Sequence, residues 1–188
     1  MPRWEPGAAE RLQASAFDLF EKKGFERTTV AEIARGAGLT PRTFFNHFTD
    51  KREVLFDLAT RHRQEIIRRI AAGPDPHCPL DAVVHALKGA ADTLFEHRRT
   101  AVIRREGIVG ASPELREREL DKQAALTGAI AGALQDRGLD PEAAHFAAGA
   151  GMLVQRAAVE KWTRPEENRS LGELLDASLD ALRATLER

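Results

Sequence analysis

Apolar residues return at every third or fourth position along most of this chain, and no stretch alternates apolar and polar residues long enough to make a strand. The pattern predicts an all-α fold of about nine helices. The first is expected over 8–23, where Leu12, Ala16, Leu19 and Phe20 share a face, and Gly24 is the residue type that ends a helix in a left-handed conformation. Thr29-Val30-Ala31-Glu32 has the spacing of a capping box, so a second helix starts there, carries Val30, Ile33 and Ala34, and stops at Gly36-Ala37-Gly38, with Leu39 pinning the turn. Thr40-Pro41 supplies an N-cap and a proline at the first helical position, which predicts a short third helix to about His47. Asp50 and Glu53 open a long fourth helix with Leu55, Leu58, His62, Ile66 and Ile70 on one face. It is ended by the loop Gly73-Pro74-Asp75-Pro76-His77-Cys78-Pro79. Further helices are expected over 80–97 and 100–110, from Ser112-Pro113-Glu114 to Gly138, from Asp140-Pro141-Glu142 to Trp162, and from Ser170 to Arg188.

Composition narrows the class. With 43% hydrophobic and 30% charged residues the chain reads as globular, and no apolar run approaches the ~18 residues that span a bilayer. No apolar segment of the kind that makes a signal peptide is visible, so the cytoplasm is the expected compartment. The lone Cys78 cannot form an internal disulfide, and its neighbours His77 and Pro79 offer no zinc ligand set. No nucleophile elbow, HExxH, phosphate loop or CxxC occurs, so neither catalysis nor a metal or cofactor is expected.

Two short helices joined by a glycine-containing turn, with Ala34 small and Ile33, Leu39 and Phe44 apolar, match a helix-turn-helix. The net charge of −1 does not favour nucleic acid. Locally, residues 35–52 hold four cations, Arg35, Arg42, Lys51 and Arg52, against one acid, Asp50. A bland helical hairpin explains the turn equally well, and the surrounding residues decide between the two readings.

The stretch from Phe25 to Leu55 resembles the N-terminal domain of TetR-family regulators in its helix spacing, its Thr-Thr-Val start, its Ala-Gly-Leu turn, its aromatic run ending in His47-Phe48 and the lysine that opens the next helix. The resemblance implies a DNA-reading domain over 1–52 and a helical dimerisation and ligand-sensing body over 53–188. It also implies a homodimer that places one recognition helix per subunit in successive major grooves, about 34 Å apart, of a palindromic double-stranded operator. Pro41, Arg42, Thr43 and Asn46 are then placed to meet base edges, with Arg42 able to grip guanine O6 and N7 together. Thr29, Thr40, His47 and Lys51 sit where family members hold phosphate. Phe45 stands where many members have tyrosine, and this chain has no tyrosine at all, so Phe45 is left to touch a thymine methyl or a sugar.

In the body, the last helix carries a wide stripe that includes Leu171, Leu175, Leu179 and Leu182, and the helix before it carries Phe146, Ala150, Leu153 and Ala157 among small residues. The resemblance makes these two helices a four-helix dimer interface; a plain intramolecular core is the alternative. The family's effector pocket lies among helices four to eight, where Leu94, Phe95, Ile103, Leu126, Met152 and Trp162 offer apolar lining and His62, His97, Glu106 and Gln155 offer polar anchors. Arg98-Arg99, Ile103-Arg104-Arg105 and Ser112 to Arg116 further resemble the C-terminal domain of mycofactocin-type regulators, which implies a hydrophobic or acyl-type effector whose anionic head group would suit the arginines. A solvated basic face explains the same arginines. The expected function is a repressor released from its operator by a small molecule, the alternative being a regulator of this fold controlled by a protein partner.

Overall fold

The computed structural model describes residues 7–73, 78–95 and 97–187. Among them it has nine α-helices: α1 (Ala8–Lys23), α2 (Val30–Gly36), α3 (Pro41–His47), α4 (Glu53–Ala72), α5 (Pro79–Leu94), α6 (Arg99–Ala111), α7 (Pro113–Gln135), α8 (Pro141–Trp162) and α9 (Leu171–Leu186). Residues 74–77 of the loop expected after the fourth helix lie outside the described residues. The caps do what the sequence pattern requires. Capping boxes open α2 at Thr29 and α9 at Ser170, and Asp140 accepts from the amides of Glu142 and Ala143 at α8. Helix α5 stops at Leu94, short of His97, where the Phe95 amide closes the last turn on Ala91 O at 2.8 Å.

The chain forms two compact units, one made of the chain up to Leu58 together with Ile103–Glu119, the other of Ala59–Val102 and Leu120–Arg188. In the first, Leu12, Phe17 and Phe20 of α1 meet Ile33 and Ala34 of α2, Phe44 of α3 and Val54 to Phe56 at the start of α4. Ile108, Val109 and Leu115 complete this core from far along the chain. Each of the large side chains among them contributes about 1.5 to 3 kcal/mol by leaving water. Polar ties reinforce the same joint: Ser112 Oγ donates to Glu26 Oε1 at 2.9 Å, Arg52 reaches Glu114 at 3.2 Å, and Arg118 reaches Glu53 at 3.2 Å. Ser112, expected to open α7 as a cap, thus gives its proton to the loop before α2.

In the second unit α5, α8 and α9 pack on one another. Gly151 lets α8 approach α5 so closely that a Cβ there would stand 2.4 Å from Val83 Cγ1. Leu171, Leu174, Leu175 and Leu179 of α9 are buried in this packing, and Lys88–Asp176 and Arg183–Asp81 ion pairs flank it.

Candidate nucleic-acid interface

The reader is built from the turn between α2 and α3. Gly38 takes φ 67°, a left-handed conformation that only glycine adopts without strain. Its amide bonds Arg35 O at 3.0 Å and the Leu39 amide bonds Ala34 O at 2.8 Å, the double closure of a Schellman motif. Leu39 packs against the core behind it. The chain therefore leaves α2 in one fixed direction and enters α3 at Thr40, whose hydroxyl accepts from the Thr43 amide at 3.1 Å.

Helix α3 is two-sided. Phe44 is fully buried, and Phe48 just past the helix is nearly so. Their rings lie 5.5 Å apart and lock the inner face. Pro41, Arg42, Phe45 and Asn46 are exposed on the other face, Phe45 with 58% of its surface open to water. The Phe45 ring meets that of Phe44 edge-on at 5.5 Å and leaves its outer face open for contact. Thr43 and His47 are half-buried at the edges, and the Thr43 hydroxyl lies 2.9 Å from that of Thr40.

The capping box of α2 is strongly fixed. Thr29 donates its amide and hydroxyl to Glu32 Oε2 at 2.9 and 2.8 Å, and Lys23 Nζ reaches Glu32 Oε1 at 2.6 Å. The Lys23 hydrogen bond, followed by those from Thr29, holds the Glu32 carboxyl down at about 2. The box is thus ionised and closed at neutral pH.

Lys51 departs from expectation. Its ammonium donates to the carbonyls of Phe25 at 2.7 Å, Thr28 at 3.0 Å and Glu26 at 3.2 Å, and lies 4.2 Å from the centre of the Phe25 ring. An ammonium has three protons, and here all are committed inside the protein. Its geometry is that of a clamp on the loop before Thr29, not of a group held out for phosphate. Arg52 is likewise committed, to Asp50 and Glu114. Of the four cations counted in this segment, Arg35 and Arg42 are exposed and held by no hydrogen bond or ion pair among the described residues.

A small, rigid, two-sided helix with a free arginine on its outer face is the form of a DNA reader, and comparison with known proteins names the family. The model for bacterial regulatory proteins of the tetR family matches residues 12–58, and that for the MftR C-terminal domain matches residues 77–187. The chain belongs to the TetR family of transcriptional regulators. MftR of Mycobacterium tuberculosis is 27% identical over 92% of this chain and 88% of its own length. TcmR of Streptomyces glaucescens is 31% identical over 54% of this chain, a match that spans 42% of TcmR. FadR of Thermus thermophilus, solved in complex with lauroyl-CoA, superposes with a TM-score of 0.54 at 24% identity over 93% of both chains.

For this TetR-family chain the structure also places the residues expected in the body. His62, Phe95 and Trp162 form a stack of edge-on rings, with centroids 5.1 Å apart from His62 to Phe95 and 6.4 Å from Phe95 to Trp162. Burial pushes the His62 imidazole down to about 4, so it is neutral. Gln155, half-buried, has its Oε1 buried without a donor. Leu126 is buried, Leu94 and Met152 are half-buried, and His97 is exposed. Ile103 and Glu106 belong to the first unit and are exposed there. Arg104 and Arg105, proposed from sequence to meet an anionic head group, are instead bound to acids within the first unit.

The expected dimer face divides in two. Leu171, Leu175 and Leu179 are buried within their own chain, because they carry the packing of α9 on its neighbours. Phe146 and Leu153 are 66% and 56% exposed, and Ala150, Ala157 and Leu182 are half-buried beside them. Leu153, Ala157 and Leu182 line an open groove of about 210 Å³ between α8 and α9, with Lys161 and Ser178 as polar lining.

Proposed function

We propose that this chain is a sequence-specific DNA-binding regulator that reads a palindromic operator as a homodimer and releases it when a small apolar or acyl-type molecule binds. The observation that carries the DNA reading is α3 itself, whose inner face is locked by Phe44 while Arg42, Phe45 and Asn46 stand free on the outer face. Arg42 is the base reader, because a guanidinium fork matches guanine O6 and N7. Thr40 and His47 set the register on phosphate, while Thr29, its amide and hydroxyl both given to Glu32, holds the start of α2. Family members bind DNA as dimers, and the exposed Phe146 and Leu153 with the half-buried Ala150 and Ala157 beside them are the apolar surface that a second copy would cover. The effector reading draws on the neutral His62, Phe95 and Trp162 rings, which pack on one another, and on the Gln155 oxygen buried without a donor, an apolar cluster and a polar atom of the kind that ligand sites use. FadR is solved with lauroyl-CoA, which carries an apolar acyl chain, and SmeT with triclosan.

The test is operator selection from random duplex DNA, followed by binding of the Arg42→Ala variant. Affinity for the selected site should fall by about 1 to 3 kcal/mol while affinity for random duplex changes little. Equal losses on both would remove base reading from Arg42.

A further inference from the structure

We propose that the four cations of residues 35–52 divide their work, Arg35 joining Arg42 at the DNA while Lys51 serves as an internal positioning residue that never leaves the protein. This rests on the DNA-binding reading above. Charge and position in the sequence do not separate these four side chains, since each is a cation within or beside the helix-turn-helix, and the resemblance gave a DNA contact to Lys51 and none to Arg35. The structure separates them by what already holds each one.

Lys51 gathers the carbonyls of Phe25, Glu26 and Thr28, the three residues leading to and including the one before the Thr29 cap. Moving its ammonium to a phosphate would strip those carbonyls of their shared donor and draw the charge off the Phe25 ring. The benefit of one phosphate interaction is offset by the breaking of three hydrogen bonds to a charged group. Arg52 is held from two sides, by Asp50 at 3.0 Å and Glu114 at 3.2 Å. Lys23 is closed on Glu32, and Arg27 donates to Lys23 O at 2.7 Å.

Arg35 is different. It stands exposed in the last turn of α2, directly before the Schellman turn, and Arg42 stands exposed in the first turn of α3, directly after it. The turn that fixes α3 therefore carries a free guanidinium on either side. A basic side chain at a helix C-terminus also answers the helix dipole, but that attraction is worth only about 0.3 to 1 kcal/mol and leaves the guanidinium protons available. Arg42 reads bases and Arg35 takes the flanking phosphate, replacing the grip that Lys51 would otherwise supply.

The experiment measures binding to a mixed-sequence duplex from about 50 to about 200 mM salt, for the full chain and single variants. Removing one cation from a phosphate should lower the steepness of log K against log salt by about 0.9 per protomer. Arg35→Gln should show that reduction, with melting temperature unchanged. Lys22→Gln, which removes an exposed cation on α1 far from the turn in sequence, should show none. Lys51→Met should keep the full slope while lowering affinity and melting temperature together. Lys51→Arg, which keeps the charge but not the compact three-way ammonium, should bind as weakly as Lys51→Met. An unchanged slope in Arg35→Gln overturns the assignment, as does a slope reduced by Lys51→Met, whether or not Lys51→Arg restores it. A wild-type chain with no affinity for any duplex would instead overturn the DNA-binding reading itself.

Discussion

The guanidinium of Arg104 closes on the Glu21 carboxylate through two parallel hydrogen bonds of 2.7 Å, Nε to Oε1 and Nη2 to Oε2. The same Nη2 reaches Asp18 Oδ1 at 2.6 Å, and the group lies 5.6 Å from the centre of the Phe17 ring. Hydrogen bonding and charge from Arg104 hold the Glu21 carboxyl below its ordinary value. The next residue turns about 100° round the helix and serves a different neighbour. Arg105 Nε donates to Leu55 O at 2.8 Å, its guanidinium pairs with Glu119, and it lies 5.0 Å from the centre of the Phe56 ring. Two adjacent arginines of α6 thus fasten it to α1 on one side and to the start of α4 on the other.

Burial decides which of them matters more. The Arg104 side chain is 32% exposed against partners more open still, whereas Arg105 is 12% exposed. Arg104→Met should cost about 1 kcal/mol, and less as salt is raised. Arg105→Met removes the ion pair to Glu119 and the hydrogen bond to Leu55 O in a drier place and should cost about 2 kcal/mol, nearly independent of salt. Urea unfolding at low and high ionic strength measures both. An Arg104 loss that matches or exceeds that of Arg105 contradicts the ranking.

The fastening of α6 was the part of the fold that sequence could not reveal. Capping boxes, prolines at helix starts and closing glycines are local chemistry, and Thr29, Thr40, Asp140 and Ser170 each opened a helix where the pattern placed one. The outer face of α3 was legible through the family resemblance, and Pro41, Arg42 and Asn46 stand exposed on it. Partners distant in the chain leave no such trace: Ser112 with Glu26, Arg104 with Glu21 and Lys51 with the 25–28 carbonyls are long-range choices among many available acids and oxygens. The leucines of α9 were ambiguous for the same reason, because a buried stripe looks alike whether its cover is the same chain or a second copy.

The His62 imidazole makes stability depend on pH. Its folded value of about 4 lies below the ordinary 6.5, so the unfolded chain binds more protons between those values and stability falls as pH falls through that window. The full loss is on the order of 3 kcal/mol by pH 4 and is absent above pH 6.5. His62→Phe should flatten the part of the curve that lies between about 6.5 and 4. Thermal denaturation of both proteins across this range would show it, and parallel curves would mean that His62 does not report the burial assigned to it.

Two glycines in long helices should respond to alanine in opposite directions. Gly128 of α7 is exposed and a Cβ there meets nothing within 4 Å, so Gly128→Ala should stabilise by up to about 1 kcal/mol through helix propensity. Gly151 of α8 gains the same propensity, but its Cβ would fall 2.4 Å from Val83 Cγ1 and 3.2 Å from Val83 Cβ, atoms of a stiff side chain close to its backbone. Overpacking of about 1 to 3 kcal/mol then wins. Denaturant midpoints that shift the same way in both variants would show that α8 can move off α5 at little cost.

The divided leucine and phenylalanine face gives the sharpest separation of association from folding. Leu175 is 1% exposed within its own chain, so Leu175→Ala should lower stability by about 2 to 5 kcal/mol through the cavity it leaves, whatever the oligomeric state. Phe146 is 66% exposed, so Phe146→Glu removes little packing from the protomer and should leave its helix content and core intact. If a second copy covers this face, the glutamate places a charge in the apolar contact, and sedimentation should find monomers where the unaltered chain forms dimers. Loss of dimers would also separate two recognition helices that must reach successive major grooves together, so operator affinity should fall far more than affinity for a single half-site. A Phe146→Glu chain that remains dimeric would move the interface away from α8, and a Leu175→Ala chain that is stable but monomeric would return that leucine to it.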